Sequence, residues 1–148
     1  MYLLGHMALG YFSARATRSV TRGYFNHYLV WFISVSPDID LMIPPLTHRG
    51  PTHSLVAILM FAVPVLLLRR EWLPYVASLG SHALIGDLIT GTSGMAGSML
   101  LWPFTSSFVD IGVYVRIGSF IELGLELVLF ILMILMLRSS DLLRAREQ

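Results

Sequence analysis

The sequence predicts an all-α integral membrane bundle of about five helices, the first two short, with two functional loops on its outer side. Two observations carry that expectation. Of 148 residues, 55% are hydrophobic and only 13% charged, where a soluble domain of ordinary composition carries about 25% charged residues. With a mean hydropathy of +0.72, there is too little polar surface to cover a water-soluble particle, and lipid is the natural surrounding. The apolar residues also gather into five segments, and no strand-like alternation of any length appears. The length fits a single domain, residues 1–148, with no internal repeat or linker.

The segments are read in order. The first is Tyr2 to Ala14 and the second about Tyr24 to Ser36, both short enough for a tilted or partly inserted hairpin. The third, His53 to Leu68, is kinked by Pro64, and the fourth runs from Trp72 to about Thr90. These two lie near the lower limit of the roughly 20 apolar residues that a helical span requires. The fifth, about Ile117 to Leu137, meets it comfortably. Between segments, Pro37 to Thr52 carries Pro44-Pro45 and Gly50-Pro51 and cannot be continuous helix. Gly91 to Arg116 is long for a connection in a compact protein, which points to function. No basic region precedes the first apolar stretch, and His6 interrupts it, so a cleavable signal is not expected.

If every segment crosses, Arg15, Arg18, Arg22, Arg69, Arg70, Arg138, Arg144 and Arg146 share one side, and only Arg49 and Arg116 the other. The positive-inside bias makes the Arg-rich side cytoplasmic, with the C-terminus, in a multi-pass membrane protein. A net charge of +1 without a basic cluster argues against nucleic acid as a partner, and the absence of cysteine excludes disulfides and thiolate metal sites.

Counting crossings brings His6, Asp38, Asp40, His48, His53, His82 and Asp87 to similar depth on the outer face, with Glu122 nearby. His27 falls on the opposite side and serves as an internal control. Taken singly, these residues are ordinary: a lone histidine on an apolar helix is usually a hydrogen-bonded structural residue. His82 and Asp87 even lie about 140° apart on an ideal helix, against a shared ligand face unless the helix bulges. Together they point to one metal site. Imidazole and carboxylate hold Zn²⁺, Mn²⁺ or Fe²⁺ without thiolates, and ionisable groups buried at a membrane are functional by default.

Gly5-His6-Met7-Ala8-Leu9-Gly10, Ser36-Pro37-Asp38-Ile39-Asp40 and His48-Arg49-Gly50-Pro51-Thr52-His53-Ser54 follow in a familiar order. Ser81-His82 with Asp87 and Thr90, then Leu100-Leu101-Trp102-Pro103-Phe104, complete it. This pattern resembles the YdjM-like family, described as LexA-regulated, membrane-bound, predicted metal-dependent hydrolases. The resemblance covers residues 5 to about 104, and its most specific stretch is His48 to Ser54. It implies a multi-spanning inner-membrane hydrolase with these His and Asp residues as ligands. The ligand order is loosely similar to that of zinc-dependent phospholipase C, which favours phosphoesters. One departure stands out: four residues separate His82 from Asp87 where the family pattern has three. Either Gly86 accommodates a bulge, or Asp87 supports a ligand rather than being one.

The expected function is metal-dependent hydrolysis of a phosphoester, on a phospholipid or other lipid-linked phosphate. The expected cofactor is one to three divalent cations, zinc foremost. Asp40 is expected as a bridging ligand or general base, and Arg49 as a bidentate phosphate clamp or a headgroup contact. Trp102 and Phe104 are expected to anchor the outer loop at the interface. The alternative is a non-catalytic metal-binding membrane protein: a scaffold, an ion-binding module or a transporter subunit.

Overall fold

A computed structural model describes residues 3–21, 25–92, 95–111 and 115–146. Tyr2, Arg22 and Tyr24, and the side chains of Arg144 and Arg146, lie outside that description. Five α-helices are present among the described residues: α1 Leu3–Thr21, α2 His27–Val35, α3 Leu55–Leu68, α4 Leu73–Ser81 and α5 Phe120–Arg146. Helix α1 continues well past Ala14, because Arg15, Ala16 and Arg18 end its apolar character without disfavouring helix. Pro37 and Pro51 each open a short 3-10 turn, Ser36–Met42 and Pro51–His53, which occupy the Pro-rich connection. Asn26 and Ser54 cap α2 and α3 by accepting from Leu29 N–H and Ala57 N–H.

Two expectations need correction. Residues 90–116 are not only loop: β1 Thr90–Thr92 pairs antiparallel with β2 Met95–Ala96 and parallel with β3 Val115–Arg116. Strands of two or three residues, rich in Gly and Thr, are too short to leave an alternation in the sequence. Five helices also do not amount to five full spans. Among the described residues only α5, over Phe120–Ser140, is long and apolar enough to cross a membrane, and α3 is a shorter apolar helix. Helices α2 and α4 have nine residues each, about 14 Å at 1.5 Å per residue, less than half a bilayer core.

Helix α1 is the centre of the molecule, packing against α4, α2 and α5, while α4 also packs against α2 and α3. Ala8, Tyr11 and Ala14 are buried along α1, with Met133 of α5 against the first two and Val30 and Tyr75 against the third. The α1–α2–α4 crossing is made from small residues, as in other helix pairs that approach closely in lipid. A Cβ on Gly10 would lie 2.4 Å from Ser34 Cβ and 2.7 Å from Ser78 Oγ. The serines spend their hydroxyls on nearby carbonyls, Ser34 on Trp31 and Ser78 on Val30. Large apolar side chains remain exposed elsewhere, including Met60 and Leu67 on α3 and Ile121 and Leu127 on α5. A soluble monomer rarely tolerates that much contiguous apolar surface.

The N-terminal ends of α1 and α3 and the C-terminal ends of α2 and α4 meet at one end of this bundle. At the other end Tyr75 Oη accepts from Asn26 N–H, and Arg15 donates to Ser140 Oγ.

Gly10→Ala is expected to lower stability by about 1–3 kcal/mol through overpacking. Gly124→Ala, inside α5 with nothing within 4 Å of the added Cβ, should instead raise stability by up to about 1 kcal/mol, since alanine favours helix over glycine. Thermal unfolding of both variants in detergent measures the difference.

Candidate metal centre

The connection from Ser36 to His53 folds around Asp40. Its Oδ2 accepts from Arg49 N–H (3.0 Å) and the Thr52 hydroxyl (3.0 Å), and lies 3.2 Å from His53 Nδ1. Its Oδ1 lies 3.0 Å from His48 Nδ1. To present that N–H, Arg49 adopts a left-handed backbone with φ of 60°, unusual for a non-glycine residue and typical of functional sites. Gly50 follows so closely on Thr47 O that a Cβ would sit 2.4 Å from it. The glycine of the His48–Ser54 stretch is therefore a steric requirement.

Helix α4 supplies the other half. After Ser81 it widens into a single π-helical turn, His82–Gly86, with Asp87 N–H donating to His82 O at 3.0 Å. This bulge closes most of the angle that an ideal helix would leave between His82 and Asp87. Both side chains then face the same point, with Asp87 Oδ2 3.5 Å from His82 Nε2 and 3.3 Å from His53 Nε2. Gly86 lets α1 approach: the His6 ring stacks on His82 at 3.8 Å, and a Cβ on Gly86 would lie 2.4 Å from His6 Cε1.

The protonation pattern follows from the partners. His82 Nδ1 lies 2.6 Å from Ser34 O, a carbonyl that can only accept, so the nitrogen carries the proton. The Thr52 hydroxyl gives its proton to Asp40, so His53 Nδ1, 2.9 Å from the Thr52 oxygen, is also the donor. When neutral, both rings therefore turn bare Nε2 atoms toward each other, 3.0 Å apart. Asp38 Oδ1 lies 3.4 and 3.3 Å from the same two atoms. Each carboxylate thus closes a triangle on the histidine pair. Ligands held about 2.0–2.1 Å from a tetrahedral ion are separated by about 3.3–3.4 Å, so each triangle has the dimensions of one face of such a site. Asp87 Oδ2 is buried without a hydrogen-bond donor, as a carboxylate reserved for a cation would be.

Among the described residues three overlapping groups have donor atoms mutually close enough to hold an ion: His53, His82 and Asp87; His6, Asp38 and His82; Asp38, His48 and His53. Burial disfavours the charged form of Asp38, but hydrogen bonds from His53 and His82 in their doubly protonated form outweigh it and hold the carboxyl well below the usual carboxylate range. A cleft of about 650 Å³ opens onto His6, Asp38, His48, Arg49 and Asp87. Its walls are Leu3, Phe32, Val35, Ile39, Leu41, Met42 and Ile117, with Ser36 at the rim.

The model of the YdjM inner membrane protein matches residues 1–144 of this chain. The chain belongs to that family. No curated protein and no solved structure matches it. Leu100–Phe104 apart, the motifs that carry the resemblance supply the residues of the cluster, and the five-residue step from His82 to Asp87 is accommodated by the π-helical turn that includes Gly86.

All seven ligand candidates converge at this end, whereas His27 packs edge-on against Tyr11 and Phe25 at the other. Glu122 is fully buried on α5, where Oε2 accepts from Gly118 N–H, and it joins none of the three groups. Arg49 departs from expectation. Its guanidinium is buried: NH1 donates to the carbonyls of Thr90 (2.7 Å), Asp87 (3.3 Å) and Gly97 (3.4 Å), and NH2 to Thr90 Oγ1 and Asp87 Oδ1. Those contacts consume the paired N–H groups that a phosphate clamp or headgroup contact would need. Arg49 instead ties the His48–Ser54 turn to Asp87 and β1. Thr52, Thr90 and the Ser34 carbonyl were not among the expected site residues. The two threonines lie inside the quoted motifs, but a backbone carbonyl leaves no mark in a sequence.

Arg49→Gln is expected to cost about 3–5 kcal/mol, the price of stranding a buried carboxylate. Arg49→Lys should recover little, since a point charge cannot reach Thr90 and Asp87 together. Denaturant unfolding in detergent tests this, because loss of a mere phosphate contact would leave stability unchanged.

Proposed function

We propose that the protein is a membrane-bound, metal-dependent hydrolase of a lipid phosphoester. The observation that carries this reading is the cleft. It has hydrocarbon-like walls continuous with exposed Phe32, Leu41 and Met42, and its floor gathers imidazole and carboxylate donors. Such a shape suits a substrate with an apolar body and a charged head.

His53, His82, Asp38 and Asp87 are the residues that would hold the ion, zinc foremost, with Mn²⁺ and Fe²⁺ compatible with the same donors. When bound, the ion supplies Lewis acidity and an activated water near neutral pH. Because an Nε2 lone pair serves one ion, filling the His53–His82–Asp87 group leaves His6 with Asp38, and His48 with Asp38, for any further ion. The expected range of one to three therefore rests on one complete set and two partial ones.

The chain's own residues divide the remaining work. Asp40, with its oxygens facing His48, Thr52, His53 and the Arg49 amide, orients both rings rather than serving as the base. His48 and Asp38 have side chains 37% and 28% exposed and face the cleft. Where His48 is not itself a ligand, its imidazole, backed by Asp40, would take a proton from the attacking water and return it to the departing alkoxide. The apolar walls keep bulk water from the reacting phosphoester.

The alternative, a non-catalytic metal-binding protein, is favoured by one observation, the inward turn of Arg49. The open, lipid-facing side of the cluster weighs against it, since a structural site is closed.

The positive-inside pattern, carried by Arg15, Arg18, Arg69, Arg70 and Arg138 away from the cluster, orients the cleft to the outer face of the inner membrane in a multi-pass arrangement.

Metal analysis of detergent-purified protein, with a screen of phosphoester lipids, tests the reading. Asp38→Asn and His53→Ala should lose both metal and turnover, while His27→Ala keeps both. Asp40→Asn should weaken metal affinity by about 10–100-fold, as expected for a residue that orients ligands. If no divalent metal co-purifies and none can be added back, the reading fails. A reporter fused at Gln148 should read cytoplasmic, and a periplasmic signal would reverse the orientation.

A further inference from the structure

A second cleft, of about 540 Å³, lies on the other flank of α2, between α2 and α3. Both helices pack against α4, and the groove runs between them. It begins beside the metal-type cluster at Pro37 and Thr52 and reaches Trp72 at the far end of the bundle. Among the described residues no charged one lines it, and the only hydroxyls, on Ser36 and Thr52, sit at the cluster end. Phe32 and Ser36 line both clefts, so the C-terminal turn of α2 forms a ridge between two apolar channels. Phe32 is 69% exposed on that ridge, which opens both channels to surrounding hydrocarbon.

We propose that the substrate carries two hydrocarbon chains that straddle α2. One lies along the Leu41–Met42 wall of the first cleft and the other along Ile33, Ala57 and Phe61 in the second. This rests on the hydrolase reading and narrows it, selecting a two-chain lipid phosphoester over a single-chain lipid phosphate. A single chain needs one channel, and would leave an uncharged groove starting at the site without an occupant. Two channels meeting at one ridge match a headgroup from which two chains diverge.

The test uses the full chain in detergent with Trp31→Phe and Trp102→Phe, which leaves Trp72 as the reporter at the end of the groove. The probes are phosphatidic acid with both chains brominated near their ends and its single-chain lyso counterpart brominated alike. The two-chain probe should quench Trp72 at a concentration at least about tenfold lower, the gain expected from burying as few as two more methylenes. Ala57→Phe, which fills the groove from α3, should abolish that advantage while leaving the thermal midpoint and single-chain binding unchanged. Equal quenching by both probes, or an advantage that survives Ala57→Phe, would overturn the proposal and point to a bilayer lipid in the groove. Quenching does not require turnover. A protein that binds the two-chain probe as expected yet hydrolyses no phosphoester would sink the hydrolase reading and leave the two-chain site standing.

Discussion

Two imidazole nitrogens, His53 Nε2 and His82 Nε2, face each other 3.0 Å apart, and the Ser34 carbonyl and Thr52 with Asp40 decide that both lack a proton when neutral. Lone pairs so placed repel, and Asp38 and Asp87 add negative charge at 3.3–3.5 Å from the same atoms. The arrangement calls for a cation among these groups, in addition to the Arg49 guanidinium beside Asp87. Much of the surrounding structure enforces that demand. Asp40 fixes two rings from behind, Arg49 fixes Asp87 and the turn that bears His48, and Gly86 admits the ring of His6.

The bundle below supplies the precision that such a cluster requires. Its donors come from four elements remote in sequence, so their relative heights depend on how α1, α2 and α4 cross. Gly10, Ser34 and Ser78 bring those helices close enough that backbone and hydroxyl groups, rather than flexible side chains, set the spacing. Ser34 belongs to both systems, since its side chain fills the crossing while its carbonyl orients His82. A shift of α2 along α4 would therefore disturb packing and donor geometry together.

The cluster was more legible in the sequence than the fold that carries it. His6, Asp38, His48, His53, His82 and Asp87 were gathered by counting hydrophobic segments, and alternation of ends holds even for helices too short to cross a bilayer. The same count overstated the spans, because hydropathy does not mark where α4 changes from α- to π-helical winding. The short β1–β2–β3 sheet was invisible for want of alternation. The inward turn of Arg49 depends on Thr90 and Gly97, some forty to fifty positions away, and spacing within the His48–Ser54 stretch could not reveal it. Asp40 differed from Asp38 only through partners that the folded connection supplies.

The single π-helical turn at His82–Gly86 acts as a phase shifter within one continuous helix. Below it, Tyr75 and Ser78 keep the register that α1 and α2 demand, while above it His82 and Asp87 obey a different angular rule set by the donors around them. One rod thereby carries two angular settings, one for the scaffold and one for the site, and Ser34, touching both, keeps their heights in step.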